Sequence, residues 1–167
     1  MFDVLKGLDV PWRRVGVWQV DERVAPDGDA DRNANQLEAL PGKHRLMPVT
    51  ATDLSAAARR YARSLPDRFD VVHLGMGDDG HTASWPPGDP VIDDADPVAL
   101  SQPYQGRVRM TLTPSVVNRA IGRVVLTFGA GKAAALAAWA DGLELPIAHV
   151  KRTRTVVFTD RAAAVGR

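Results

Sequence analysis

Cysteine is absent from the 167 residues, which excludes disulfides and thiolate metal sites and fits a reducing compartment. No apolar run approaches the roughly 20 residues that a membrane span requires. The N-terminal MFDVLKGLDVPWRR also lacks the continuous apolar core of a signal peptide, so the expected location is the cytoplasm. Net charge is close to nil: 21 basic residues stand against 20 acidic ones. Charge alone therefore gives no reason to expect a nucleic acid or an acidic membrane as partner, and any anion binding must be local. Lysine is scarce beside arginine, so one placed next to a glycine turn stands out. There is no internal repeat and no low-complexity tract. His44, His73 and His149 have no metal-ligand spacing with one another, and no metal site is expected.

The length is enough for one domain with a real core, read as residues 1–167. Strands and helices are expected to alternate. Phe2, Leu5 and Leu8 have helical spacing, and Pro11-Trp12 ends that element. VGVWQV, Val15 to Val20, predicts a strand running straight into Asp21-Glu22-Arg23, followed by the long polar loop VAPDGDADRNAN and a short helix over Asn33 to Leu40. Leu46 to Thr50 reads as extended, and Asp53 as the N-cap of the helix LSAAARRYARSL. Trp85 to Pro103, with five prolines and four aspartates, reads as a surface lid, with Trp85 lining a pocket. RVRMTLT alternates as a strand with Arg107, Arg109 and Thr111 on one face, and Pro114 opens a helix. RVVLTF is a further strand leading through Gly129-Ala130-Gly131-Lys132 into an alanine-rich helix. TVVFT is the last strand, with Asp160 capping an end helix. Such alternation is the signature of an α/β sheet with parallel pairing.

Phe69 to Ser84, FDVVHLGMGDDGHTAS, changes character midway, from an apolar run of the buried-strand type to a glycine-rich, acidic loop. In open α/β sheets ligands sit outside the carboxyl ends of strands, which makes this loop a candidate active site. His81 in such a position either serves a substrate in acid–base chemistry or merely caps a turn. Asp78 and Asp79 orient the imidazole or serve only turn chemistry. The amides of Gly77 to Thr82 either form an anion-binding nest or reflect tight backbone geometry alone. Arg109 is either an edge charge or a phosphate fork. Lys132 in GAGK resembles the end of a phosphate loop, but the full GxxxxGK[ST] spacing is missing. A lysine at a helix start fits best with a ligand anion beside it.

Taken in order, VDER with its Asn-containing loop, LGMGDDGHTAS, RVRMTLT and GAGK before a helix resemble the 6-phosphogluconolactonase family, over nearly all of the chain. The resemblance implies an α/β fold: a Rossmann-like three-layer sandwich with a mostly parallel sheet. It also implies truncation at the N-terminal strand-helix unit, because the GGSTP-like turn that precedes the VDER strand in that family has no counterpart here. The related glucosamine-6-phosphate deaminases continue toward Asn-Glu-Pro where this chain has Thr82-Ala83-Ser84-Trp85-Pro86-Pro87-Gly88. Arg32 stands where a serine commonly precedes Asn33.

The implied activity is hydrolysis of 6-phosphogluconolactone, without metal or organic cofactor. In that reading His81 is the general base, Asp79 and Asp21 orient it or the substrate hydroxyls, and backbone amides of the Gly80 turn, with Gly77 and Thr82, meet the oxyanion. Arg109 and Lys132 hold the phosphate, with Arg23 beside them. The alternatives are a truncated homologue that binds a sugar phosphate or a partner chain without turnover, or a sugar-phosphate isomerase or deaminase. A sheet deprived of its first strand also implies an edge for a second copy or another partner to cover.

Overall fold

A computed structural model describes residues 2–164. The architecture is α/β with mostly parallel pairing, but its strands fall into three small sheets. Gly16–Trp18 (β1) pairs in parallel with Lys43–Arg45 (β3). Asp21–Arg23 (β2) and Val98–Leu100 (β5) both pair antiparallel with Arg109–Leu112 (β6). Val71–Gly75 (β4), Gly122–Thr127 (β7) and Thr155–Thr159 (β8) form a parallel sheet in the order β4-β7-β8. The helices are Phe2–Lys6 (α1), Ala34–Leu37 (α2), Leu54–Ala62 (α3), Pro114–Val117 (α4) and Ala133–Ala140 (α5).

Several expectations hold because local chemistry decides them. Asp53 caps α3 by accepting from the Ala56 amide at 2.9 Å, and α4 starts at Pro114, where a missing N–H costs nothing. Asp160 accepts from the amides of Gly129 and Ala163, tying the end of β7 to the end of β8. It caps a single turn, and residues 165–167 of the expected end helix lie outside the described residues, as does Met1.

Other expectations are corrected. VGVWQV and DER are two strands in two different sheets. The break lies at Gln19, whose buried side chain donates to Glu22 at 2.8 Å and accepts from the Met47 amide at 2.6 Å. The polar side chain supplies partners that a continuous ladder would have supplied. The extended piece at Leu46 to Thr50 is displaced to β3, and the helix over Asn33 to Leu40 is only α2.

Trp85 to Pro103 is no surface lid. Trp85 is fully buried, with its indole donating to the Leu112 carbonyl at 2.8 Å, and Val98–Leu100 adds a strand to β6. Composition hid this strand, because its short apolar run sits between proline-rich segments. Arg107 stands outside β6, in a turn.

Val72, Leu74 and Val125 put one face of the parallel sheet into a core with Met110, Leu112, Val117 and Ile147. The other face carries Val71, Val156 and Phe158 in the open. This face opens on a groove of about 730 Å³ bounded by α1, α2, β1 and β4, whose walls include Phe2, Leu5, Trp18, Phe69 and Leu126. Among the described residues β1 and β4 each pair along one edge only.

Candidate active site

At the carboxyl end of β4 the chain enters the turn that carries Asp79 and His81. The Gly77 amide donates to the His81 carbonyl at 2.8 Å, and the Gly80 amide donates to the Gly77 carbonyl at 3.2 Å. Gly80 has φ 79°, the left-handed region where glycine is favoured. A β-carbon on Gly80 would also come within 2.9 Å of Leu145.

The Asp79 carboxylate closes back on the turn. Its Oδ1 accepts from the His81 amide at 3.0 Å and lies 2.6 Å from Nδ1 of the same residue. Sequence neighbours thus form a carboxylate–imidazole dyad. Partial burial works against charge on Asp79, but the hydroxyl of Tyr104 and the amide and ring of His81 outweigh it, holding the carboxyl down at about 2. Nε2 of His81 has no protein partner among the described residues, and His81 lines a cavity of about 280 Å³.

The same cavity is walled by Asp21, Arg23, Asn33, Gly77, Thr82, Arg109 and Lys132. Asp79 acts on it through His81, and Gly80 faces Leu145 instead. The expected nest is largely spent. The amides of Gly77, Gly80 and His81 all donate within the turn, so they do not face a ligand.

Arg23 and Arg109 are direct cross-strand partners in the β2–β6 register. Like charges opposite one another destabilise an antiparallel pair. Arg109 is buried, and both desolvation and the neighbouring Arg23 bring its pKa down from the ordinary value. The Nε atoms of both arginines are buried without a hydrogen-bond partner. Two neighbouring guanidiniums, each with an unpartnered Nε donor, have the chemistry that an anion takes. Lys132 reaches the same cavity from the one-turn 3-10 helix that precedes α5.

Asp21 accepts from the Ser84 hydroxyl at 2.7 Å and, more distantly, from the Asn33 side chain at 3.3 Å. Burial pushes its pKa up, against the Ser84 hydrogen bond and the two arginines. The next residue, Glu22, is fully buried and serves the scaffold. It accepts from Gln19, from its neighbour's amide and from the amides of Asn33 and Ala34, and Arg32 stands 3.0 Å away. Burial alone would raise its pKa, but these donors hold it below the usual range. Arg32 also contacts Asp27 at 3.0 Å, so it clamps the polar loop that delivers Asn33.

Tyr104 carries no signal in the sequence. It directly follows the proline-rich stretch, yet its hydroxyl reaches Oδ2 of Asp79 at 2.7 Å. Only folding reveals it, since the two residues are 25 positions apart. Ser84 is similar, 63 positions from its partner Asp21. No group of His, Cys, Asp and Glu among the described residues is arranged to hold a metal ion.

Comparison with known proteins adds an independent line. Residues 1–159 match the family described as glucosamine-6-phosphate isomerases/6-phosphogluconolactonase. The 6-phosphogluconolactonase of Streptomyces coelicolor is 30% identical over an alignment covering 93% of this chain and 71% of that protein. The Synechocystis 6-phosphogluconolactonase is also 30% identical, over 81% of this chain and 64% of its own length. Among solved structures, the Thermotoga maritima 6-phosphogluconolactonase superposes with a TM-score of 0.85 at 26% identity. That match covers 95% of this chain and 78% of the other.

Proposed function

This chain belongs to the glucosamine-6-phosphate isomerase/6-phosphogluconolactonase family, and from that premise we propose that it hydrolyses 6-phospho-D-glucono-1,5-lactone to 6-phosphogluconate, a step of the pentose phosphate pathway. One observation carries the reading: a single small cavity brings a carboxylate-held imidazole together with Arg23, Arg109 and Lys132. A phosphorylated ester substrate needs both.

In the proposed mechanism His81 donates its Nδ1–H in a hydrogen bond to Asp79 and accepts a proton from water at Nε2. The water oxygen bonds to the lactone carbonyl carbon, and the carbonyl electrons move to oxygen. Collapse of the tetrahedral intermediate breaks the bond to the ring oxygen, which leaves with the proton returned by His81. Asp79 is the positioning carboxylate. Asp21, bound to Ser84 and Asn33 and not to His81, is assigned to the substrate hydroxyls. Thr82, which lines the cavity beside His81, is the residue we assign to the oxyanion. Gly77 and Gly80 shape the turn that presents His81. Arg23, Arg109 and Lys132 hold the phosphate.

The reaction is assigned to the cytoplasm; no helix among the described residues is long and apolar enough to cross a membrane. The apolar groove beside β1 and β4 is proposed as the edge that a second copy or another polypeptide covers, which sedimentation across a concentration series tests. For the catalytic reading the test is release of 6-phosphogluconate from the lactone, followed in a coupled assay above the spontaneous rate. Rates equal to buffer alone, from a cooperatively folded sample, overturn it in favour of a binding protein without turnover.

A further inference from the structure

We propose that Tyr104 is a positioning residue for the reaction, fixing the Asp79 carboxylate so that His81 carries its proton on Nδ1 and presents a bare Nε2 to the cavity. The inference rests on the lactonase reading above and adds to it a residue that neither the DGH motif nor the comparisons point to.

The geometry is that of a two-sided clamp. Asp79 has two oxygens, and each is engaged on a different side. Oδ1 takes the His81 amide and ring, and Oδ2 takes the Tyr104 hydroxyl at 2.7 Å. A carboxylate bound at one oxygen rotates about its Cβ–Cγ bond, whereas one bound at both does not. The hydroxyl proton is committed to Asp79, because Tyr104 lies 3.4 Å from Nδ1 of His81, at the edge of hydrogen-bonding range. The tyrosine ring meets the imidazole edge to face, centroids 5.4 Å apart and planes at 66°. The ring therefore limits tilt while the hydroxyl fixes the carboxylate.

Tyr104 is itself held. It closes a tight hairpin turn with Arg107, each donating its amide to the other's carbonyl, at 2.9 and 3.2 Å. The two residues between them, Gln105 and Gly106, have φ of 49° and 79°, the left-handed pair that a two-residue hairpin turn demands. Arg107 pins this turn to the polar loop through Asp29 and Asp31. Arg109 donates to Gln105 at 2.9 Å and lies over the tyrosine ring, 5.1 Å from its centre. One side chain thus bridges the cationic wall of the cavity and the dyad. The hydrogen bond to Asp79, with burial and the carboxylate charge behind it, pushes the phenol up to about 12, so it stays a proton donor throughout the working pH range.

Tyr104→Phe removes the hydroxyl and leaves both ring contacts in place. The expected result is a kcat lower by about 10- to 100-fold, the worth of one hydrogen bond to a charged group, with KM within about twofold and unchanged thermal unfolding. Nitrogen-15 NMR of the His81 ring should show one tautomer in the parent protein and a mixture in the variant. A variant with parental kcat and a single His81 tautomer overturns the proposal. So does a raised KM at unchanged kcat, which would make Tyr104 a substrate contact. If the parent protein has no lactonase activity the catalytic reading fails alone, because the NMR comparison still decides whether Tyr104 controls the dyad.

Discussion

The α-carbon of Gly77 lies directly against the imidazole of His81: a β-carbon built there would be 2.1 Å from Nδ1 and 2.6 Å from Oδ1 of Asp79. The dyad exists because this position has no side chain. Gly77→Ala is expected to push the ring off Asp79 and lower kcat by about 100-fold, the typical cost of misplacing a catalytic group by about 1 Å. Steady-state kinetics beside a thermal melt checks this, and an alanine variant with full kcat would show that the ring position is immaterial.

The dyad itself predicts different outcomes for its two members. His81→Ala should reduce hydrolysis to the spontaneous background. Asp79→Asn should keep the fold but favour the wrong imidazole tautomer, lowering kcat by about 10²- to 10⁴-fold while KM holds. Equal kcat in the parent and Asp79→Asn proteins would remove Asp79 from the mechanism.

The Arg23–Arg109 pair predicts anion-dependent stability. Inorganic phosphate should raise the melting temperature of the parent protein, because a ligand that binds only the folded state stabilises it. Arg109→Met should abolish that rise and increase KM by about 10- to 100-fold, with a smaller change in kcat. A melting temperature indifferent to phosphate counts against an anion site between the two arginines.

Acid should weaken the fold through Asp79. Its carboxyl is lowered from 3.8 to about 2 in the folded chain, so the folded state binds fewer protons than the unfolded one. The resulting stability is fully present above about pH 5 and is lost as pH falls through about 2. It amounts to at most about 2 kcal/mol, less for solvent screening of a partly exposed group. Urea titrations at pH 6 and pH 3 should differ by more in the parent than in Asp79→Asn. An equal difference in both proteins places the acid sensitivity elsewhere.

Glu22→Gln should be among the most damaging conservative changes. It removes the buried counter-charge of Arg32 and leaves only the exposed Asp27 carboxylate beside the guanidinium, which costs up to about 3 kcal/mol. The urea midpoint should drop accordingly. If it does not, the polar loop is held by Asp27 and the backbone alone.

What was legible in the sequence was local. The cap at Asp53, the helix start at Pro114, the strand ending at Gly75 and the turn carrying Asp79 and His81 all depend on residues within a few positions of one another. The division of VGVWQVDER was not legible, because Gln19 breaks the strand only by virtue of partners at Glu22 and Met47. Trp85 to Pro103 was misread for a related reason. Proline and aspartate mark surface excursions on average, and nothing local reveals that Trp85 fills the core or that Val98–Leu100 finds an edge on β6.

The sequence by itself determined that a glycine turn at a strand end would present His81 with a carboxylate two residues away, since covalent spacing leaves that carboxylate few other places to reach. It also supplied the cations, but not their arrangement. Only the tertiary structure set Arg23 opposite Arg109 and brought Tyr104 onto Asp79 and Ser84 onto Asp21. Those contacts join segments whose separation along the chain carries no information about their distance, and they form when strand register and core burial fix the backbone between them.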